Sequence, residues 1–242
     1  MNDAKIMVWD LATRAFHWLL ALSFLGAYLS AEADRFQTLH VIFGYTVAAL
    51  LLFRIAWGIV GTRHARFSAF ALSPRAALDY VRSLFSGPPQ HFVGHNPLGS
   101  WSAVALLVLL ALVVVTGMAD YLGVAGEISG ELHEGAASAA LVLVLLHIAG
   151  VITSSVLHGE NLVRSMLSGY KRGDAKDAVT GARTIPALAV VAAVAAFWSG
   201  ALVAPGMRDN PGLLAALTQP DAGDEGDGRQ GRHGRREERH RD

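Results

Sequence analysis

Apolar positions along this chain arrive in long blocks, not in the alternation of a half-buried strand or the narrow stripe of a soluble helix. Five blocks stand out, at about residues 14–30, 38–60, 100–118, 133–157 and 185–203. Blocks of roughly 18 or more apolar residues are long enough to cross a bilayer. Lipid offers no partner to a free peptide group, so each block is expected to be a transmembrane helix. The connection "AEADRFQ" between the first two is short, which makes them antiparallel neighbours. The stretch "SPRAALDYVRSLFSG" reads differently. Ser73 is placed as an N-cap and Pro74 at the first helical position. Ala77, Leu78, Val81, Leu84 and Phe85 share one face, with Arg75, Asp79 and Arg82 turned away. That pattern predicts a short amphipathic helix, either lying on a membrane surface or serving as a solvated connector. The expected fold is all-α: an integral membrane helical bundle with a four-helix core and a fifth transmembrane helix toward the C-terminus.

Composition agrees with this reading. Of 242 residues, 52% are hydrophobic and only 17% charged, too apolar for a soluble domain of this size. The formal net charge is zero, but the loops differ sharply. The connection between the second and third spans carries Arg63, Arg66, Arg75 and Arg82. The segment after the fourth carries Arg164, Lys171, Arg172, Lys176 and Arg183. By contrast, the loop between the third and fourth has Asp120, Glu127 and Glu131 with no Lys or Arg. The positive-inside rule then sets the N-terminus in the cytoplasm and, with five crossings, the C-terminus outside. A cleaved signal peptide is the rival reading of the first block, since "AEA" at 31–33 imitates a cleavage site; the weakly basic start argues against it. The expected organisation is a membrane domain over 1–172, a linker and fifth helix over 173–205, and a charged, disordered tail over 206–242.

The chain has no cysteine. Disulfides, thiolate zinc sites, cysteine-bound iron–sulfur clusters and covalently attached haem are therefore excluded. Candidate chemistry rests on histidine. His133 and His147 lie fourteen residues apart in one apolar block, close to four helical turns, so they share a face about 21 Å apart along the axis. His17 lies near the start of the first block and His40 near the start of the second. Depth in the membrane sorts the four into His17 with His147 on the cytoplasmic side and His40 with His133 on the periplasmic side.

A single imidazole near a helix end is ordinarily an interfacial or hydrogen-bonded residue. Four at matched depths are a different matter, because polar groups within a bilayer are costly and usually functional. One shared zinc or copper ion is ruled out by the 21 Å interval, since ligands must converge to about 2 Å from the metal. A proton relay would want membrane carboxylates, which these spans hardly supply. A porphyrin supplies four equatorial nitrogens and leaves two axial places for facing imidazoles. Two stacked haems b fit best, with small residues such as Gly44, Gly135 and Gly150 giving room. Arg14 and Arg54, near helix ends, suit either positive-inside anchoring or pairing with the anionic haem propionates. His64, His91, His95 and His158 read as solvated or hydrogen-bonded loop residues.

The segments "VWDLATRAFHW", "LHVIFGYTVAALLLFRIAWGIVGTRHARF", "GHNPLG", "ELHE" and "LHIAGVITSSVLHGENLVRSMLSG" resemble the prokaryotic cytochrome b561 family, over roughly residues 5–172. That family is related to the b-type cytochrome subunits of nickel–iron hydrogenases and formate dehydrogenases. The resemblance implies two haems b with bis-histidine ligation by His17, His40, His133 and His147, the four residues that depth selects. It also implies a quinone near the cytoplasmic haem, with Asn96 as the matching candidate, although Asn-Pro equally favours a plain turn. No residue is expected to be catalytic, and no nucleic-acid partner is expected. Three functions follow as expectations. One is electron transfer between the quinone pool and a periplasmic partner such as a c-type cytochrome. A second is a haem-bearing membrane anchor of a hydrogenase or dehydrogenase complex. The last is a haemless carrier of protons or metal ions.

Overall fold

The computed structural model describes residues 4–86, 90, 92–124, 126–207 and 209–218. It is mostly helical. Four helices form the bulk: α1 (Leu11–Leu29), α2 (Gln37–Val60), and then, after the short α3 (Pro74–Ser86), α4 (Pro97–Tyr121) and α5 (Glu127–Leu157). The chain continues through α6 (Leu162–Ser168), α7 (Thr184–Trp198) and α8 (Leu213–Leu217). Three of these, α2 with its 3-10 lead-in from Asp34, α4 and α5, are long and apolar enough to cross a membrane. α1 is 19 residues, about 28 Å, but spends Arg14 and His17 within its first two turns.

α1 packs on α2, and α4 packs on α5. Val47, Leu51, Leu110 and Ala140 form the buried layer where three of them meet, with Leu20 and Phe24 closing it from α1. The outward faces are apolar and exposed at Leu52, Ile55, Val108, Val115, Val142, Leu145, Leu146 and Ile152. An apolar surface of that extent requires lipid or protein to cover it. Gly26 and Gly58 matter to the packing: a Cβ at either would stand within 2.5 Å of a ring carbon, of Phe43 and Phe67 respectively.

The all-α expectation needs one correction. A two-stranded antiparallel ribbon pairs β1 (Ala4–Met7) with β2 (Tyr170–Gly173), in the register Ala4↔Gly173 to Met7↔Tyr170. Four residues a strand carry no readable alternation, and the partners lie at opposite ends of the membrane domain. The ribbon is made by tertiary packing, with Ile6, Val8 and Trp9 buried against Val93, Met166 and Ala178. It marks one end of the bundle, here the ribbon end, which also holds the start of α1 and the finish of α2.

The fifth apolar block is shorter than its sequence suggests. α7 ends at Trp198 and not near 203, because the chain turns at Gly200 with φ of 84°. At about 22 Å, α7 falls short of the roughly 30 Å hydrocarbon core. It packs alongside α1 and α2. Leu11 N donates to Ala182 O at 2.8 Å near its start, and Trp198 Nε1 donates to Thr46 Oγ1 at 2.9 Å at its end. Beyond it, Asn210 Nδ2 donates to Phe197 O and Leu202 O at 2.6 and 2.7 Å, pinning the return of the chain. Residues 206–218, assigned from sequence to a disordered tail, thus include a packed segment: Ala216 of α8 is buried with Leu39 and Ile42 of α2, at the far end of the bundle. "PGLLAALT" is apolar within a charged neighbourhood, which hides it in a compositional average. Residues 219–242, the rest of that tail, lie outside the described residues.

Candidate functional site

The four histidines sit on the helices that the hydropathy blocks foretell. His17 lies on α1, His40 on the first turn of α2, and His133 and His147 on the single uninterrupted helix α5. At the far end, His40 and His133 face one another with ring centroids 5.8 Å apart and planes at 86°. At the ribbon end, His17 and His147 are near enough to interact electrostatically. The remaining pairings by depth do not arise.

Each ring at the far end is oriented by a backbone carbonyl from the neighbouring helix. His40 Nδ1 donates to Ala27 O of α1 at 2.8 Å, and His133 Nδ1 donates to Val113 O of α4 at 2.8 Å. A carbonyl can only accept, so each ring carries a proton on Nδ1 and leaves Nε2 as the nitrogen free to meet a metal. Metal-binding imidazoles are commonly oriented this way. Gly117 makes room for the arrangement, since a Cβ there would lie 2.7 Å from His133 Cε1. At the ribbon end, His147 Nδ1 lies 3.4 Å from Ser102 Oγ, while His17 Nδ1 is buried without a hydrogen-bond partner.

α5 is held chiefly by α4, and its His133 faces His40 of α2. Two imidazoles binding one metal from opposite sides, at about 2 Å each, would have ring centres about 6 Å apart. The spacing at the far end, 5.8 Å, suits such ligation. Among the described residues no three of His, Asp and Glu converge as an ordinary metal site would need. The donor set therefore fits a metal that brings its own equatorial ligands. A Cβ at Gly44, Gly135 or Gly150 would meet nothing within 4 Å, so these positions border open space.

Asn96 is placed as the N-cap of α4. Its Oδ1 accepts from Gly99 N at 2.7 Å and its Nδ2 donates to Tyr80 OH at 3.0 Å, so both halves of the amide are engaged in local structure. The ribbon end also holds side chains that sequence treats as loop surface. His64 is buried, with Nε2 2.8 Å from Asp177 O. His95 lies edge-on to Trp9 and tilted to Phe70, both at 4.9 Å. Burial, with the nearby Arg54 and His147 adding to it, pushes His95 down to about 3, so the ring is neutral. His64 is hydrogen-bonded, one of the two states the sequence predicts for a loop histidine, whereas His95 is drawn inward among aromatic rings. His158 Nδ1 lies 2.8 Å from Ser154 O, a plain helix-end contact, and His91 lies outside the described residues. An open apolar groove runs beside Glu160 and Asn161, lined by Ile152, Val156 and Val163.

The most buried cation is Arg54. It is 6% exposed, stacks over Phe67 and Phe70 at 4.7 and 5.7 Å, and leaves Nη1 without a partner. Arg14 is spent differently, with Nη1 donating to Leu167 O at 2.5 Å.

The chain is 25% identical to the probable Ni/Fe-hydrogenase B-type cytochrome subunit of Rhizobium leguminosarum bv. viciae, over 69% of this chain and 89% of that protein. It is 22% identical to the protein so named in Rhodobacter capsulatus, over 69% and 81%, and 25% identical to that of Azotobacter vinelandii, over 70% and 90%. No solved structure matches. The family model described as prokaryotic cytochrome b561 matches residues 8–169, which take in all four histidines and the helices that carry them, and a b-type cytochrome family implies haem b. The chain belongs to the prokaryotic cytochrome b561 family.

Proposed function

We propose that this chain is a dihaem b-type cytochrome of the bacterial inner membrane, serving as the membrane-anchoring subunit through which a hydrogenase- or dehydrogenase-type complex exchanges electrons with quinone. His40 and His133 would hold one haem at the far end, and His17 and His147 the other at the ribbon end. The observation that carries this reading is the facing of His40 and His133, whose ring centroids lie 5.8 Å apart. Haem b, when bound, supplies a one-electron iron couple.

The protein's own residues do the rest. Ala27 O and Val113 O hold the two rings in one tautomer and one orientation. Val47, Leu51, Leu110 and Ala140 exclude water from the layer between the two histidine levels. The ribbon end carries Arg63, Arg66, Arg75 and Arg82, which supports a cytoplasmic N-terminus. The course of α7 toward the far end supports a periplasmic C-terminus, with α1, α2, α4, α5 and α7 as the four-plus-one helices. The groove beside Glu160 supports quinone exchange at the ribbon end, with lipid tails as its neighbours. Transfer of an electron outward would be helped by an inside-negative potential, at about 2.3 kcal/mol per 100 mV.

The names of the relatives favour the complex-anchoring role over the alternatives. A second reading, transfer between quinone and a periplasmic c-type cytochrome, draws on Asp120, Glu127, Glu131 and Glu134 at the far end, whose charge suits a basic partner. Two measurements test the proposal. Pyridine haemochrome assay of the purified protein is expected to give two haems b per chain, and one after His40→Ala. Absence of a haem band in fresh preparations would overturn it in favour of a haemless proton or metal carrier. Co-purification with a large catalytic subunit separates the anchoring role from a free-standing quinone–cytochrome c link.

A further inference from the structure

Arg54 is a charge held in the interior. No ion pair among the described residues reaches it, and one terminal nitrogen, Nη1, is buried without any acceptor. Asp10 is close enough to act on it electrostatically, but its hydrogen bonds go to other donors. Oδ1 accepts from Thr13 N at 2.8 Å, and Oδ2 accepts from Thr13 Oγ1, Thr62 Oγ1 and Trp57 Nε1 at 2.9, 2.5 and 3.4 Å. Phe67 and Phe70 offer only ring faces, which do not replace an anion for a desolvated guanidinium.

The position of Arg54 narrows what that anion is. Arg54 lies fourteen residues after His40 on α2, about 21 Å along the axis and so at the ribbon end. His95 feels both Arg54 and His147, which sets the guanidinium in the neighbourhood of the His17–His147 pair. A planar fork of N–H donors matches a carboxylate better than any neutral acceptor. We propose that Arg54 anchors a propionate carboxylate of the haem held by His17 and His147, with Phe67 and Phe70 holding the guanidinium in plane. This rests on the dihaem reading and adds a positioning residue to it. Because the cation lies beside one haem only, it favours the reduced form of that haem and leaves the far-end haem alone.

The test uses the purified full-length protein with its haems, and compares Arg54→Gln, Arg54→Lys and His17→Ala. Haem content and a spectral redox titration are read for each. His17→Ala and His40→Ala identify which spectrum belongs to which haem. With Arg54→Gln, the ribbon-end haem is expected to titrate at a lower midpoint potential and to be retained roughly ten- to a hundredfold less well, while the far-end haem is unchanged. Arg54→Lys is expected to restore much of both. Wild-type retention and potentials in Arg54→Gln, with His17→Ala still losing one haem, would overturn the anchor and leave the dihaem reading standing. Two haems surviving in His17→Ala would overturn both. If Arg54→Gln assembles no haem, Arg54→Lys decides: recovery supports the anchor, and equal emptiness overturns it. Membranes from haem-starved cells, reconstituted with haemin or its dimethyl ester, add a check on the carboxylate. The ester is expected to bind wild type and Arg54→Gln alike, and discrimination as large as with haemin would overturn the proposal.

Discussion

Thr62 Oγ1 donates to Asp10 Oδ2 at 2.5 Å, fastening the second residue past the end of α2 to the cap that begins α1. Asp10 is wholly buried and also holds Thr13 and Trp57. Asp10→Ala would remove an N-cap and leave several buried donors unmatched. The expected loss is about 2–4 kcal/mol, and about 1 kcal/mol for Thr62→Val, in unfolding of the detergent-solubilised protein. Equal losses from the two would show that the Thr62 link, and not the cap, carries the stability.

Gly117 gives a cleaner handle on the far-end histidines than the histidines themselves. A Cβ there would come within 2.8 Å of two ring atoms of His133, although alanine suits a helix interior better than glycine. Gly117→Ala is therefore expected to leave the fold and the ribbon-end haem intact while shifting or emptying the His40–His133 site. Absorption spectra and haem stoichiometry check this. An unaltered far-end haem would mean that His133 does not hold it in the orientation described.

Much of this arrangement is legible in the chain, for a physical reason. Hydropathy blocks and a fixed rise per residue turn residue numbers into depths, and depth alone sets His40 beside His133, whose rings lie 5.8 Å apart. The uninterrupted run through His133 and His147 on α5 follows from the same arithmetic. What escaped is tertiary. The ribbon of Ala4–Met7 with Tyr170–Gly173 has no pattern of its own, and the burial of His64 and His95 depends on the loops it gathers. Arg54 appears in sequence as one of two arginines near helix ends. Each leaves one buried nitrogen without a partner, Arg14 Nε and Arg54 Nη1, but only Arg14 has a terminal nitrogen engaged by a backbone carbonyl, that of Leu167.

Behind the ribbon, Lys171 Nζ lies 3.5 Å from Glu160 Oε2, both side chains nearly out of solvent. Burial holds Lys171 below its ordinary range, with Glu160 opposing that shift. Glu160 Oε1 also accepts from Arg172 N at 2.9 Å, which makes the pair a clasp for β2. Glu160→Gln should cost about 3 kcal/mol, because it leaves Lys171 buried with Phe92 O as its remaining acceptor shown at 3.0 Å. Amide exchange at Lys5–Met7 is expected to quicken in step. Pairing it with Lys171→Met should return most of the loss, and failure to do so would deny that the two charges act as a unit.

The neutral state of His95 sets a dependence on acidity that can be signed. In the unfolded chain the ring titrates near 6.5, whereas in the fold burial, with Arg54 and His147, holds it down to about 3. Between those values the unfolded state takes up a proton that the folded state refuses. Stability must therefore fall as pH drops below about 6.5, by up to about 1.4 kcal/mol per pH unit, until the folded ring itself titrates. His95→Gln keeps a neutral side chain and removes this contribution. Its stability, read by thermal unfolding in detergent between about pH 7.5 and about pH 5, should decline less than wild type by about 2 kcal/mol. Parallel acid slopes in the two proteins would mean that the ring gains its proton in place, with Trp9 and Phe70 no longer closing it off.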